Sequence, residues 1–181
     1  MKKLNLAAGK DIRKDFINHD IAQIDGIDIV HDLNIFPWPW KDNSFDEIIA
    51  IDILEHLDDF VKTFDEIYRI LAKGGIVKIR VPYWNHSSAY IDPTHKRGFH
   101  EDTFKFFIPN TPYRNDRDYY SQSNFELISQ QFIVTPFYPY FSIPGIRIIY
   151  VKNKFFFKAL GFIGCHISNL IAALRIELKK I

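Results

Sequence analysis

The chain has 181 residues, of which 47% are hydrophobic and 16% aromatic, with 17 Phe and a formal net charge of +1. This suits one domain with a substantial core, excludes a disordered chain, and gives no global ground for a nucleic-acid partner. The single cysteine, Cys165, excludes an internal disulfide and fits a reducing, cytoplasmic setting.

The N-terminal MKKLNLAAGKDIRKD lacks an apolar stretch and does not read as a secretory leader. A first strand is expected at Lys3–Leu6, with a turn at Ala7, Ala8 and Gly9. Only a short loop or helical turn fits before a second strand, FINHD, ending at Asp20. IDIV (Ile27–Val30) is a third strand, running into His31 and Asp32. Pro37 and Pro39 make FPWPWKDN a loop. FDEIIAID is a fourth strand, and its apolar run from Ile48 to Ile51 reads as buried on both faces.

From Asp58 to Lys73 the spacing of Phe60, Phe64, Ile67 and Leu71 predicts a helix, ended by Gly74 and Gly75. IVKIRVP is a fifth strand. Residues 83–124 are irregular and rich in polar and aromatic groups, too long for a plain connection, so they read as a lid or substrate loop. FELISQQFIVTPFY returns to strand, residues 155–170 read as helical, and LRIELKK is a last strand. From residue 131 onward there are seven Lys/Arg and one acid, Glu177, against 16 bases and 21 acids before it. The stretch from Phe155 to Leu174 approaches the length of a membrane span, but Lys158, His166, Ser168 and Asn169 argue for a buried or interfacial helix.

Alternation of strands and helices predicts an α/β domain, whose ligands lie at the carboxyl ends of the strands. There the Ala7–Gly9 turn allows close backbone approach, Asp20 is placed to accept ribose hydroxyls, and Asp32 can accept from an adenine amine. The next strand end holds Asp52, Glu55 and His56, with Asp52 and His56 one helical turn apart.

The pieces LNLAAGK, DFINHDI, DIVHDLNIFPWPWKDNSFDEIIAIDILEHL and LAKGGIVKIRVP, in that order, resemble class I S-adenosylmethionine-dependent methyltransferases of the small type-11-like subset. The resemblance implies a Rossmann-like, mostly parallel sheet of about seven strands, the last antiparallel, flanked by helices with a shortened first helix. It implies one domain over 1–181: a cofactor-binding half at 1–82, an acceptor loop or lid at 83–124, and C-terminal strands with a Phe-rich basic helix at 125–181. The implied cofactor is S-adenosylmethionine, leaving S-adenosylhomocysteine. Ala7, Ala8 and Gly9 match the turn around its methionine half, Asp20 the ribose acid, Asp32 and Leu33 the adenine contacts, and Ile51 and Asp52 the methionine end. The chain departs from the pattern at Asn5, where an acid is usual, and at Ala7 and Ala8, where glycines are.

The segment after the fifth strand supplies the acceptor side. His86 and His95, then His56, are the candidate bases for a hydroxyl acceptor. Tyr83, Trp84, Asp92 and His100 are candidate substrate contacts. The spacings of these histidines match no standard ligand motif, so no metal is expected. The expected activity is methyl transfer to an O or N of a small-molecule or sugar-containing acceptor. The alternatives are a nucleic-acid or protein methyltransferase, or a non-catalytic cofactor- or partner-binding module. The Phe-rich basic tail suggests a peripheral membrane or dimer contact, without a span and without nucleic acid.

Overall fold

A computed structural model describes residues 1–134 and 149–181. In chain order its strands are β1 (Lys3–Leu6), β2 (Ile17–Asp20), β3 (Ile29–Val30), β4 (Phe45–Ile51), β5 (Leu71–Pro82), β6 (Phe125–Val134), β7 (Ile149–Val151) and β8 (Ala173–Lys180). The helices are α1 (Phe60–Ile70), α2 (Ser88–Ile91), α3 (Pro112–Asp116) and α4 (Lys154–Gly164), with 3₁₀ turns at Leu54–His56, Thr103–Phe107 and Asp118–Tyr120.

One sheet in the order β3-β2-β1-β4-β5-β8-β6-β7 contains all eight strands. The five strands from β3 to β5 are parallel. β8 pairs antiparallel with both β5 and β6, and β7 forms an antiparallel edge on β6. This is the expected Rossmann-like α/β sheet, mostly parallel with antiparallel C-terminal strands. Among the described residues there are eight strands rather than about seven, the short β7 being the addition. Residues 7–16, between β1 and β2, hold turns and no helix, as their length requires.

Several boundaries differ from expectation. The third strand is reduced to Ile29–Val30, because Ile27 closes the preceding turn onto the Ile24 carbonyl and Asp28 is a bend. The strand at FELISQQFIV ends its described part at Val134; residues 135–138 of the expected strand lie outside the described residues. The helix expected over 155–170 stops at Gly164. Among the described residues no helix is long and apolar enough to cross a membrane.

The end of α1 is the most instructive difference. Asp59 starts this helix by accepting the Lys62 N–H at 2.9 Å. The helix was expected to reach Lys73 and end at the glycine pair, but it ends at Ile70. The Lys180 ammonium takes the carbonyls of Tyr68 and Leu71 at 2.7 and 2.8 Å. The N–H groups of Asn43 and Ser44 take those of Arg69 and Ile70. The carbonyls from Tyr68 to Leu71 are thus satisfied from outside the helix, and Leu71 starts a strand. Gly74, with φ of +76°, lies inside β5, where the register to β4 jumps from Phe45↔Leu71 to Glu47↔Ile76.

A contiguous core runs from Leu4 and Leu6 on β1 through Phe45 and Ile48 on β4 to Leu174, Ile176 and Leu178 on β8. Residues 99–107 add Phe99, Phe104 and Phe107, all buried against Phe60 and Phe64 of α1. That part of the expected loop is therefore core. Phe64 is fully buried, with its ring centroid 4.3 Å from that of Phe107. Phe64→Ala is expected to cost about 3–5 kcal/mol, measured by denaturant unfolding.

Candidate active site

The parallel strands end at one edge, where two cavities lie side by side. The smaller, about 370 Å³, is lined by Ala7, His19, Asp32, Leu33, Ile53 and His56, among others. The turn after β1 that borders it is tied down completely. The Ala7 N–H donates to His19 Nδ1 at 3.3 Å, the Ala8 N–H to the His19 carbonyl at 2.8 Å, and the Gly9 N–H to Asp20 Oδ2 at 2.8 Å. These bonds hold Ala7 at φ of +51° and Gly9 at +52°; the former is a strained value for a residue with a Cβ.

His19 is the keystone of this edge. Its Nδ1 accepts from Ala7, so its Nε2 carries the proton and donates to the His31 carbonyl at 2.9 Å. One neutral ring therefore ties the end of β1 to the end of β3. Burial pushes its pKa below the usual histidine value of 6.5. The unfolded chain protonates first as pH falls, so this contribution to stability is complete above pH 6.5 and is lost toward the folded-state pKa. Melting temperature is expected to drop between pH 7.5 and 5.5, and His19→Gln should make that drop shallower. The slope attributable to this one proton is at most about 1.4 kcal/mol per pH unit.

Asp20 also accepts the Ala22 N–H through Oδ1 at 3.0 Å, and Asp32 Oδ1 accepts the Asn34 N–H at 2.9 Å. Each carboxylate has lone-pair capacity left for a ligand donor. Ala8, Gly9 and Asp20 do not line this cavity: Asp20 and the buried Ala8 adjoin its lining residues Ile21 and Ala7, and Gly9 is tied to Asp20.

The larger cavity, about 540 Å³, opens beyond β4 and β5 and is lined by Asp52, Glu55, His56, His86, Asp92 and His95, among others. Asp52 follows β4 with φ of +50° and pairs with Arg80, whose Nε donates to Oδ1 at 2.9 Å. His56 and His95 meet edge to face with ring centroids 4.6 Å apart. Burial, then the neighbouring His95, holds the His56 pKa below the usual range. His86 is nearly inaccessible, bonds Ser88 Oγ through Nδ1 at 2.8 Å, and is likewise pushed down by burial. Burial raises the carboxyl of Glu55, which is 1% exposed, to about 8.

His56 lines both cavities. Of the expected site residues, Ala7, Asp32 and Leu33 meet in the smaller cavity, and Asp52, His56, His86, Asp92 and His95 in the larger. Ile51 is the half-buried last residue of β4. Tyr83, Trp84 and His100 line neither cavity. Tyr83 is 1% exposed and donates its hydroxyl to Glu101 Oε2 at 2.8 Å, and His100 packs on its ring beside Glu101 and Asp102. Tyr83 is thus spent on a buried contact, while Trp84 and the half-exposed His100 pack beside its ring, outside both cavities. No local sequence signal marks His19 or Arg80, and the sequence assigns Glu55 no role. The one local signal for Glu55 is its place beside His56 at a strand end.

Residues 6–79 match the family described as Methyltransferase domain. An uncharacterized protein of Methanocaldococcus jannaschii is 33% identical over 89 residues, 44% of this chain and 39% of that protein. The chain therefore spans well under half the length of this curated relative. A SAM-dependent methyltransferase from Thermotoga maritima superposes with a TM-score of 0.62 at 13% identity, over 99% of this chain and 82% of the other. Another from Archaeoglobus fulgidus gives 0.62 at 16%, over 99% and 86%. At these identities the likeness is one of fold.

Proposed function

Because residues 6–79 belong to the methyltransferase domain family and the chain has the class I S-adenosylmethionine-dependent methyltransferase fold, we propose that it methylates an O or N of a small-molecule or sugar-containing acceptor. The observation that carries this is His56, which stands in the wall of both cavities. A methyl donor in one and an acceptor in the other would meet beside it.

The residues present fit the cofactor. Asp20 and Asp32 offer carboxylates at adjacent strand ends for ribose hydroxyls and an adenine amine. Leu33, Ile53 and Leu57 supply apolar wall for a base. Open space lies where a Gly9 side chain would stand. When bound, S-adenosylmethionine supplies an activated methyl group. The chain aligns the acceptor, excludes water and helps its proton leave. Histidines 56 and 95 face the acceptor where that proton must depart, and His86 forms part of the same wall.

Transfer to a small acceptor is tested with methyl-labelled S-adenosylmethionine and a cell extract split by size. Label should enter the low-molecular-mass fraction. Label confined to nucleic acid or protein would overturn the small-acceptor assignment.

The exposed side of α4 supports a peripheral contact. Phe155, Phe156 and Phe162 project there beside Lys152, Lys154 and Lys158. Co-sedimentation with anionic vesicles, compared with sedimentation of the chain alone, separates a membrane surface from a second copy of the chain.

A further inference from the structure

Glu55, His56 and His95 converge so that one ligating atom of each lies within 4.8 Å of the others. The hydrogen bonds around them decide what this group presents. His95 Nδ1 lies 3.3 Å from the Ala89 carbonyl, which can only accept, so Nδ1 bears the proton. His56 Nδ1 lies 2.8 Å from Thr94 Oγ1, whose own proton goes to Asp92 Oδ1 at 2.6 Å. His56 therefore also carries its proton on Nδ1. Each ring is left with a bare Nε2. Glu55 Oε2 has no hydrogen-bond partner among the described residues, and Oε1 is 3.9 Å from His95 Nε2, beyond hydrogen-bond reach. With Glu55 ionised, lone pairs from three side chains face one another without a donor between them, the form a cation would stabilise in a site otherwise empty.

We propose that Glu55, His56 and His95 bind a divalent transition-metal ion of the Zn²⁺, Mn²⁺ or Co²⁺ class, with open coordination positions toward the larger cavity. Two imidazoles and one carboxylate suit such ions. Ligands on a shell of ~2.1 Å radius stand roughly 3–3.5 Å apart, so a modest contraction of the trio completes the site. Thr94 and the Ala89 carbonyl are positioning groups that fix the ring tautomers, the usual office of groups behind metal-bound histidines.

The ion's catalytic role rests on the methyl-transfer assignment. It draws electron density from an acceptor hydroxyl and lets the proton leave to solvent near neutral pH. The oxygen lone pair then forms the O–CH₃ bond as the CH₃–S bond breaks. Its electron pair returns to sulfur, leaving S-adenosylhomocysteine.

The test titrates Co²⁺ into the untagged, chelator-stripped chain and follows visible absorption. One saturable site, displaced by Zn²⁺, is expected. Glu55→Gln and His95→Ala should weaken binding about tenfold or more, and Thr94→Ala by about 10–100-fold. Circular dichroism confirms that each variant is folded, and His100→Ala should bind Co²⁺ as the parent does. Absence of a saturable site, or equal affinity in the folded Glu55→Gln and His95→Ala variants, overturns the proposal. S-adenosylhomocysteine is titrated into the same stripped protein. Its binding without Co²⁺ binding defeats the metal site alone, whereas Co²⁺ binding without it defeats methyl transfer and leaves the site standing.

Discussion

Replacing His56 by alanine is expected to lower methyl transfer by about 10²–10⁴-fold, the range lost when a positioned proton-handling group is removed. His56 is in the wall of both cavities, and its ring is held by Thr94, itself anchored on Asp92. In the proposed reaction the imidazole serves the departing proton either directly or through a bound cation, so both routes predict the loss. Affinity for S-adenosylhomocysteine should change by less than about tenfold, because the two acids expected to hold the nucleoside are left intact. Single-turnover rates with saturating cofactor, compared with equilibrium binding, separate the two effects. A rate within a few-fold of the parent would remove His56 from the chemistry.

The second large effect is expected at Asp20. Its carboxylate accepts the Gly9 N–H at 2.8 Å and the Ala22 N–H at 3.0 Å, so it shapes the turn that borders the cofactor cavity. It is also the proposed acceptor for ribose hydroxyls. A hydrogen bond to a charged group contributes about 1.5–3 kcal/mol, and loss of the ribose contacts together with loosening of the turn should weaken cofactor binding by roughly 100-fold or more. Asp20→Asn keeps the shape and one acceptor oxygen, so it should fall between the parent and Asp20→Ala. Calorimetric titration of the three proteins checks the order.

Much of the parallel half of the sheet was legible because its information is local. The apolar run Ile48–Ile51 marks a strand buried on both faces, and acids placed at strand ends follow from where strands stop. What was not legible depends on residues far apart in the chain. The end of α1 is set by Lys180, 112 positions beyond Tyr68, and no helix-stop signal near Leu71 encodes it. Gly74 and Gly75, a usual helix terminator, instead serve an irregularity in the β4–β5 pairing. His19 reads locally as one residue of a short strand, and its role exists only because the ends of β1 and β3 fall on either side of its ring. On the acceptor side, the spacing of His86, His95 and His100 pointed away from the partnership that forms, since His95 joins Glu55 and His56 from the preceding strand end. Tyr83 and His100 stand next to the right segment but face Glu101 and the core.

The central claim is that the edge formed by Ala7–Gly9, Asp20 and Asp32 binds S-adenosylmethionine and that transfer occurs beside His56. Isothermal titration of the purified chain with S-adenosylhomocysteine tests it most directly. One saturable site is predicted, strongly weakened in Asp20→Ala and Asp32→Ala and largely retained in His56→Ala. Absence of binding, or undiminished binding in both acid variants, would contradict it.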